Sequence, residues 1–166
     1  MTTDGAPPNG LHPSLTPLGF LVGTWRGEGV GGYPGIGDFP YAQELSFVPL
    51  PGKPAMGYSS RTWRPDTSVP LATEVGFWRM ASPDDDRVVE LMLAHPFGIV
   101  EVYVGSVRGT TIELTSNVTV RTATARQVER SERLYGMVEG DLAYAVDMAA
   151  EGHPLTPHLS ARLSRS

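Results

Sequence analysis

Residues 141–150 read DLAYAVDMAA, and the large apolar side chains fall two apart, at Leu142, Tyr144, Val146 and Met148. An extended chain sends successive side chains to opposite faces, so this spacing describes a strand with one face on a core. The stretch TIELTSNVTV repeats the pattern with Ile112, Leu114, Val118 and Val120. Further β-like runs are YAQELSFVPL, MGYSSRTW, ATEVGFWRM, RVVELMLA, GIVEVYVG and ARQVERSERLYGMV. Between them lie the turn signals PGKP, RPDTSVP, SPDDD, HPFG, VRGT, VEGD and AEGHP. No amphipathic helix of useful length interrupts them. The pattern predicts an all-β fold, a roughly ten-stranded antiparallel up-and-down β-barrel, with PSLTPLGFLVG as a short helical turn plugging it. Closure removes the free edges a long sheet must otherwise protect. A barrel of this width is too wide for side chains alone to fill, so a ligand cavity is expected.

A chain of 166 residues suits one domain. Residues 1–12 are expected to form a flexible tail and residues 13–166 the barrel. The net charge of −5 and the scattered Lys and Arg argue against a nucleic-acid partner. Cysteine is absent, which excludes disulfides, thiolate catalysis and covalent c-type haem attachment, and suits a reducing compartment. MTTDGAPPNG has neither a basic nor an apolar region of a signal peptide, and no stretch reaches 18 apolar residues. A cytoplasmic protein without membrane attachment is therefore expected.

The segment LVGTWRGEGVGGYPG carries Gly23, Trp25, Gly27 and Gly29 in the spacing GxWxGxG. No βαβ unit surrounds it, so phosphate binding lacks its structural context. A structural role fits better: the indole closes one end of the barrel, and the glycines let a strand bend or a second backbone approach.

GTWRGEGVGGYP, the AHPFG turn and the terminal LTPHLSARLSR together resemble the nitrobindin family, from about Pro13 to Arg165. The resemblance implies a ten-stranded barrel holding one non-covalent haem b per subunit. It implies that ferric iron there converts peroxynitrite to nitrate and binds nitric oxide. His158 matches the family's proximal iron ligand, and Met148 and Leu71 match apolar haem contacts. The chain departs from the family pattern at Ala72, where some relatives carry a distal-side histidine. It departs again at Gly35, often Thr, and at Gln127, often Lys, where a haem propionate or an incoming anion would find a partner.

By itself a strand histidine is more often a hydrogen-bonded core or surface residue than a ligand. The parity of the closing strand also runs against the assignment. His158 shares it with Ser160 and Arg162, while Leu159, Ala161 and Leu163 take the other face. An inward His158 would then bring Ser160 and Arg162 into the lumen and leave the apolar parity outside, against the plug or a second subunit of a homodimer. His12 is expected in the exposed leader, His95 as a turn residue of AHPFG, and His153 in the AEGHPL loop, with approach to a haem edge the lesser reading. The DDD run at Asp84–Asp86 reads as a solvated turn, and no GxSxG or HExxH occurs. The rival function is a carrier of a fatty acid or other small apolar ligand, with a lumenal Arg162 receiving a carboxylate.

Overall fold

The computed structural model describes residues 10–82 and 84–166; residues 1–9 of the expected tail lie outside the described residues. Leu11 is buried in the core, and His12 caps a 3-10 helix spanning Pro13–Leu21, its Nδ1 accepting from the Ser14 amide at 3.2 Å. That helix buries Leu15, Leu18 and Leu21.

The period-two runs become ten strands. These are β1 (Gly23–Tyr33), β2 (Ile36–Pro49), β3 (Met56–Trp63), β4 (Pro70–Ser82) and β5 (Asp85–His95). They continue as β6 (Ile99–Arg108), β7 (Thr111–Arg121), β8 (Val128–Val138), β9 (Asp141–Ala150) and β10 (Thr156–Arg165). Each pairs antiparallel with its sequence neighbour, and β1 pairs with β10 to close the barrel. The glycines of β1 serve that closure: a Cβ on Gly27 or Gly29 would run into the backbone carbonyls of Arg162 or Ser160 on β10.

One end is plugged. Trp25 is fully buried and its indole N–H donates to the Leu21 carbonyl at 2.8 Å. The Arg165 guanidinium lies 4.1 Å from the centre of the indole and donates to the Phe20 carbonyl at 3.0 Å and to that of Val22. Gly23 sits at φ +125, where a side chain would meet Arg165. Above this floor Trp78 is flanked by Phe47, Tyr58 and Tyr135 at ring separations of 5.9, 6.2 and 5.2 Å. The lower lumen is thus filled with aromatic and aliphatic side chains.

Two β-bulges alter the parity read from the sequence. In β9 the alternation holds throughout: Leu142, Tyr144 and Val146 are buried and Met148 is half-buried. In β7, Ser116 pairs with Tyr103 and Val118 with Val102, so Asn117 is an extra residue. Ile112 and Leu114 therefore face the core, whereas Val118 and Val120 are exposed, contrary to the uniform parity expected. The second bulge is in β10. Pro157 pairs with Asp147 and Leu159 with Val146, which leaves His158 as the inserted residue.

Candidate functional site

The β10 bulge resolves the conflict in that strand. Beyond it, Leu163 is buried, Leu159 and Ala161 pack on the core, and Ser160 and Arg162 are exposed. His158 still reaches the lumen, because one inserted residue lets two consecutive side chains turn to the same side. Arg162 is not lumenal: it binds Asp141 at 2.8 Å and Glu139 at 3.0 Å on the outer surface. The apolar parity of β10 is likewise inside, so it offers no outer face to a second subunit.

His158 opens onto a cavity of about 350 Å³ at the unplugged end of the barrel. Its apolar lining includes Phe39, Leu71, Phe97, Val146, Met148 and Leu159. The imidazole Nδ1 lies 2.9 Å from the Gly32 carbonyl. A carbonyl only accepts, so Nδ1 carries the proton and Nε2 presents a lone pair. Tyr33 stands edge-on to this ring at 5.7 Å, and its hydroxyl donates to the Met148 carbonyl at 3.0 Å and accepts from the Ala150 amide at 2.8 Å. The histidine is thus oriented by β1 and braced through Tyr33 on β9. His153 also packs edge-on with Tyr33 at 5.7 Å and is exposed; it does not line the cavity.

Only some of the residues singled out by the sequence gather here. Leu71 and Met148 line the cavity. Gly35 occupies the β1–β2 turn at φ +85, and Gln127 is exposed beside β8, its backbone N–H donating to the Glu151 carboxylate at 3.1 Å. Neither lines the cavity. Trp25 and its glycines belong to the opposite end.

The inner wall of the cavity holds a charged layer that sequence reading missed. Arg133 of β8 reaches across the lumen to Glu74 of β4 and donates to both carboxylate oxygens at 2.9 Å. Tyr58 donates to the same carboxylate at 2.7 Å. Burial disfavours the ionised Glu74, but the Arg133 charge and hydrogen bonds outweigh it and hold the carboxyl down to about 2. His95 Nε2 lies 2.8 Å from Glu101 of β6, whose other oxygen accepts from Ser131 at 3.1 Å. Burial raises the Glu101 pKa, yet the bond from His95 and the Arg133 charge bring it below the ordinary carboxylate value. A chain of hydroxyls and an amide completes the wall: the Tyr41 and Tyr144 hydroxyls lie 2.7 Å apart, Tyr144 donates to Gln43 at 2.6 Å, and Gln43 donates to Ser60 at 2.9 Å. Burial pushes Tyr41 up to about 12, so it stays a neutral hydroxyl. A signal was available: Glu101 and Arg133 each stand two residues before a buried tyrosine, and Glu74 four before Trp78, on the inward parity. A charge on that parity must find a partner inside.

A closed antiparallel barrel, plugged at one end and open to an apolar cavity at the other, defines a small-ligand-binding β-barrel. The chain belongs to the family described as THAP4-like, heme-binding beta-barrel domain, which matches residues 14–165. It is 62% identical over 164 residues to a peroxynitrite isomerase of Frankia casuarinae, covering 93% of this chain and 87% of that protein. It is 46% identical over 168 residues to a ferric nitrobindin-like protein of Kineococcus radiotolerans, covering 92% and 93%. The crystal structure of Rv2717c from M. tuberculosis superposes with a TM-score of 0.85 at 38% identity, covering 94% of this chain and 99% of that one.

Proposed function

We propose that this chain binds one haem b non-covalently in its cavity, with His158 Nε2 as the ligand to iron, and isomerises peroxynitrite to nitrate there. The observation that carries the reading is the bond from His158 Nδ1 to the Gly32 carbonyl, which fixes the tautomer a metal-bound imidazole needs. The donor set fits the group: the His158 imidazole with Nδ1 tied to Gly32, the apolar side chains of Val146, Met148 and Leu159 beside it, and no cysteine for covalent attachment. Names carried by close relatives, peroxynitrite isomerase among them, support the activity. When bound, ferric haem supplies an electron-accepting iron at which peroxynitrite can rearrange to nitrate, and nitric oxide is a second small ligand of that kind.

The protein's own residues do the rest. His158 holds its ring through Gly32 and Tyr33, so little orientation is lost when Nε2 ligates. Met148, Val146 and Leu159 exclude water from the His158 wall. Ala72 contributes only a methyl group, so that position of β4 offers no competing second ligand. Gly35 and Gln127 add no charge at the open end, where a haem edge would meet solvent. The fatty-acid reading is weaker, because the cavity's Arg133 is already bound through both terminal nitrogens to Glu74 and Arg162 faces outward.

A cysteine-free composition supports placement in the reducing cytoplasm. A homodimer is supported by the outer face of β4–β7 rather than that of β10. There, register places Val75, Ala94, Val100 and Val120 in one cross-strand row and Phe77, Met92, Val102 and Val118 in the next. Five of these are exposed by about half, from 47% to 59%, which a monomer seldom leaves contiguous.

The direct test mixes peroxynitrite with the haem-loaded chain and follows its decay and the nitrate yield. Faster decay with nitrate as product is expected, and His158→Ala treated with haem should match the protein-free rate. Equal rates for the two proteins would contradict the assignment.

A further inference from the structure

The wall across from His158 has chemistry of its own. In the ring of ten strands β5 is five places from β10 in either direction, so it lies diametrically opposite. It ends in the AHPFG turn, and His95 and Phe97 line the same cavity as His158. The rings of His95 and Phe97 lie 5.3 Å apart, tilted by 32°.

His95 is pinned at one nitrogen only. Nε2 lies 2.8 Å from Glu101, which is held as a carboxylate, so Nε2 is the donor. Glu101 is fixed in turn by Ser131, whose amide donates to Ser116 at 2.9 Å where the β7–β8 pairing stops. Among the described residues Nδ1 has no hydrogen-bond partner: the nearest carboxylate oxygen, of Glu74, is 3.7 Å away. The charged groups facing His95 are Glu74 from β4, Glu101 from β6 and, behind Glu74, Arg133 from β8. Two carboxylates against one guanidinium leave room for one further positive charge on the ring.

We propose that the Glu101–His95 pair is the acid–base group for the small ligand bound opposite His158, and that it selects ligands that enter as weak acids. The proposal rests on the haem reading. As the acid enters, its O–H or X–H bond breaks, an N–H bond forms at His95 Nδ1, and the anion keeps the electron pair and stays in the cavity. The imidazolium is balanced by Glu101 and Glu74, and the proton later leaves with the departing ligand or to solvent. No electron changes hands. Peroxynitrite, the anion of a weak acid, belongs to this class.

Fluoride is the probe, since it binds ferric haem as the anion of a weak acid, with nitric oxide as a proton-free control. Affinities are read from the visible spectra of the haem-loaded wild type, His95→Leu and Glu101→Gln between pH about 5 and about 8. Wild-type fluoride affinity should fall as pH rises, by up to about tenfold per pH unit, because one proton is taken up with each anion bound. In His95→Leu that slope should flatten and affinity at the acid end should drop about tenfold or more, while nitric oxide affinity changes less than about threefold. Glu101→Gln should move the position of the slope. A ring that only packs against Phe97 would not alter proton uptake. A wild-type chain that takes up no haem defeats the haem reading and this proposal together. Haem-loaded forms with the same fluoride affinity and pH slope defeat this proposal alone. Should His95→Leu fold poorly, His95→Gln faces the same two outcomes.

Discussion

The two ends of the barrel are built from the same alternating strands and do opposite things with them. At the plugged end the polar groups of Trp25 and Arg165 are turned to backbone carbonyls, and the lumen is filled by Leu15, Leu18, Leu21, Phe47 and Trp78. At the open end the lumen is left unfilled, and one inserted residue at β10 turns an imidazole into it. Between them the Glu74–Arg133 pair spans the lumen as a boundary. Stability is thus concentrated below the pair and ligand chemistry above it, which lets the open end change residues without endangering the fold.

Breaking the boundary should have the largest effect. Arg133→Met leaves Glu74 buried without its counter-charge and is expected to destabilise by about 3–5 kcal/mol in denaturant unfolding. Glu74→Gln in the same chain should restore most of that loss, since the uncompensated charge is its source. At the plugged end, Trp25→Ala should lose about 3–5 kcal/mol through the cavity it creates, with haem uptake retained by the protein that remains folded. Equal damage to haem uptake would dissolve the distinction between the ends.

Acid sharpens the comparison. The Glu74 carboxyl is depressed from its ordinary 4.5 to about 2, so its contribution is complete above pH 4.5 and is lost as pH falls through about 2. On the order of 3 kcal/mol of stability should disappear over that window, and Glu74→Gln should flatten the profile. The smallest effect is expected from Tyr33→Phe, which removes the hydroxyl that accepts from the Ala150 amide and donates to the Met148 carbonyl. About 1 kcal/mol of stability should go in denaturant unfolding, together with a weaker hold on haem because the His158 brace is loosened.

The fold was legible because alternation survives in most strands: β9 carries Leu142, Tyr144, Val146 and Met148 inward without a break. Parity failed where a strand gains a residue. Val118 and Val120 look like core by count from Ile112, yet Asn117 shifts them outward. The same shift made His158 read as a partner of Ser160 and Arg162, and only the resemblance of LTPHLSARLSR to a haem-binding family argued for it. A bulge leaves no mark in a period of two except the residue it adds. The charged layer was hidden for another reason: Glu74 and Arg133 are 59 residues apart and meet only when the barrel closes. By sequence His95 is a turn residue, and its carbonyl is one, accepting from the Gly98 amide at 3.1 Å, while its ring lines the cavity.

On the proposed reading, the β10 bulge turns His158 into the lumen as the ligand to iron. Its most direct test is a haem titration of the purified chain and of His158→Ala, followed by visible absorption. The wild type should show a saturable one-to-one Soret band, and His158→Ala should lose it while unfolding within about 1 kcal/mol of the wild type, since this side chain is only half-buried. A Soret band of equal intensity and affinity in both proteins would contradict it.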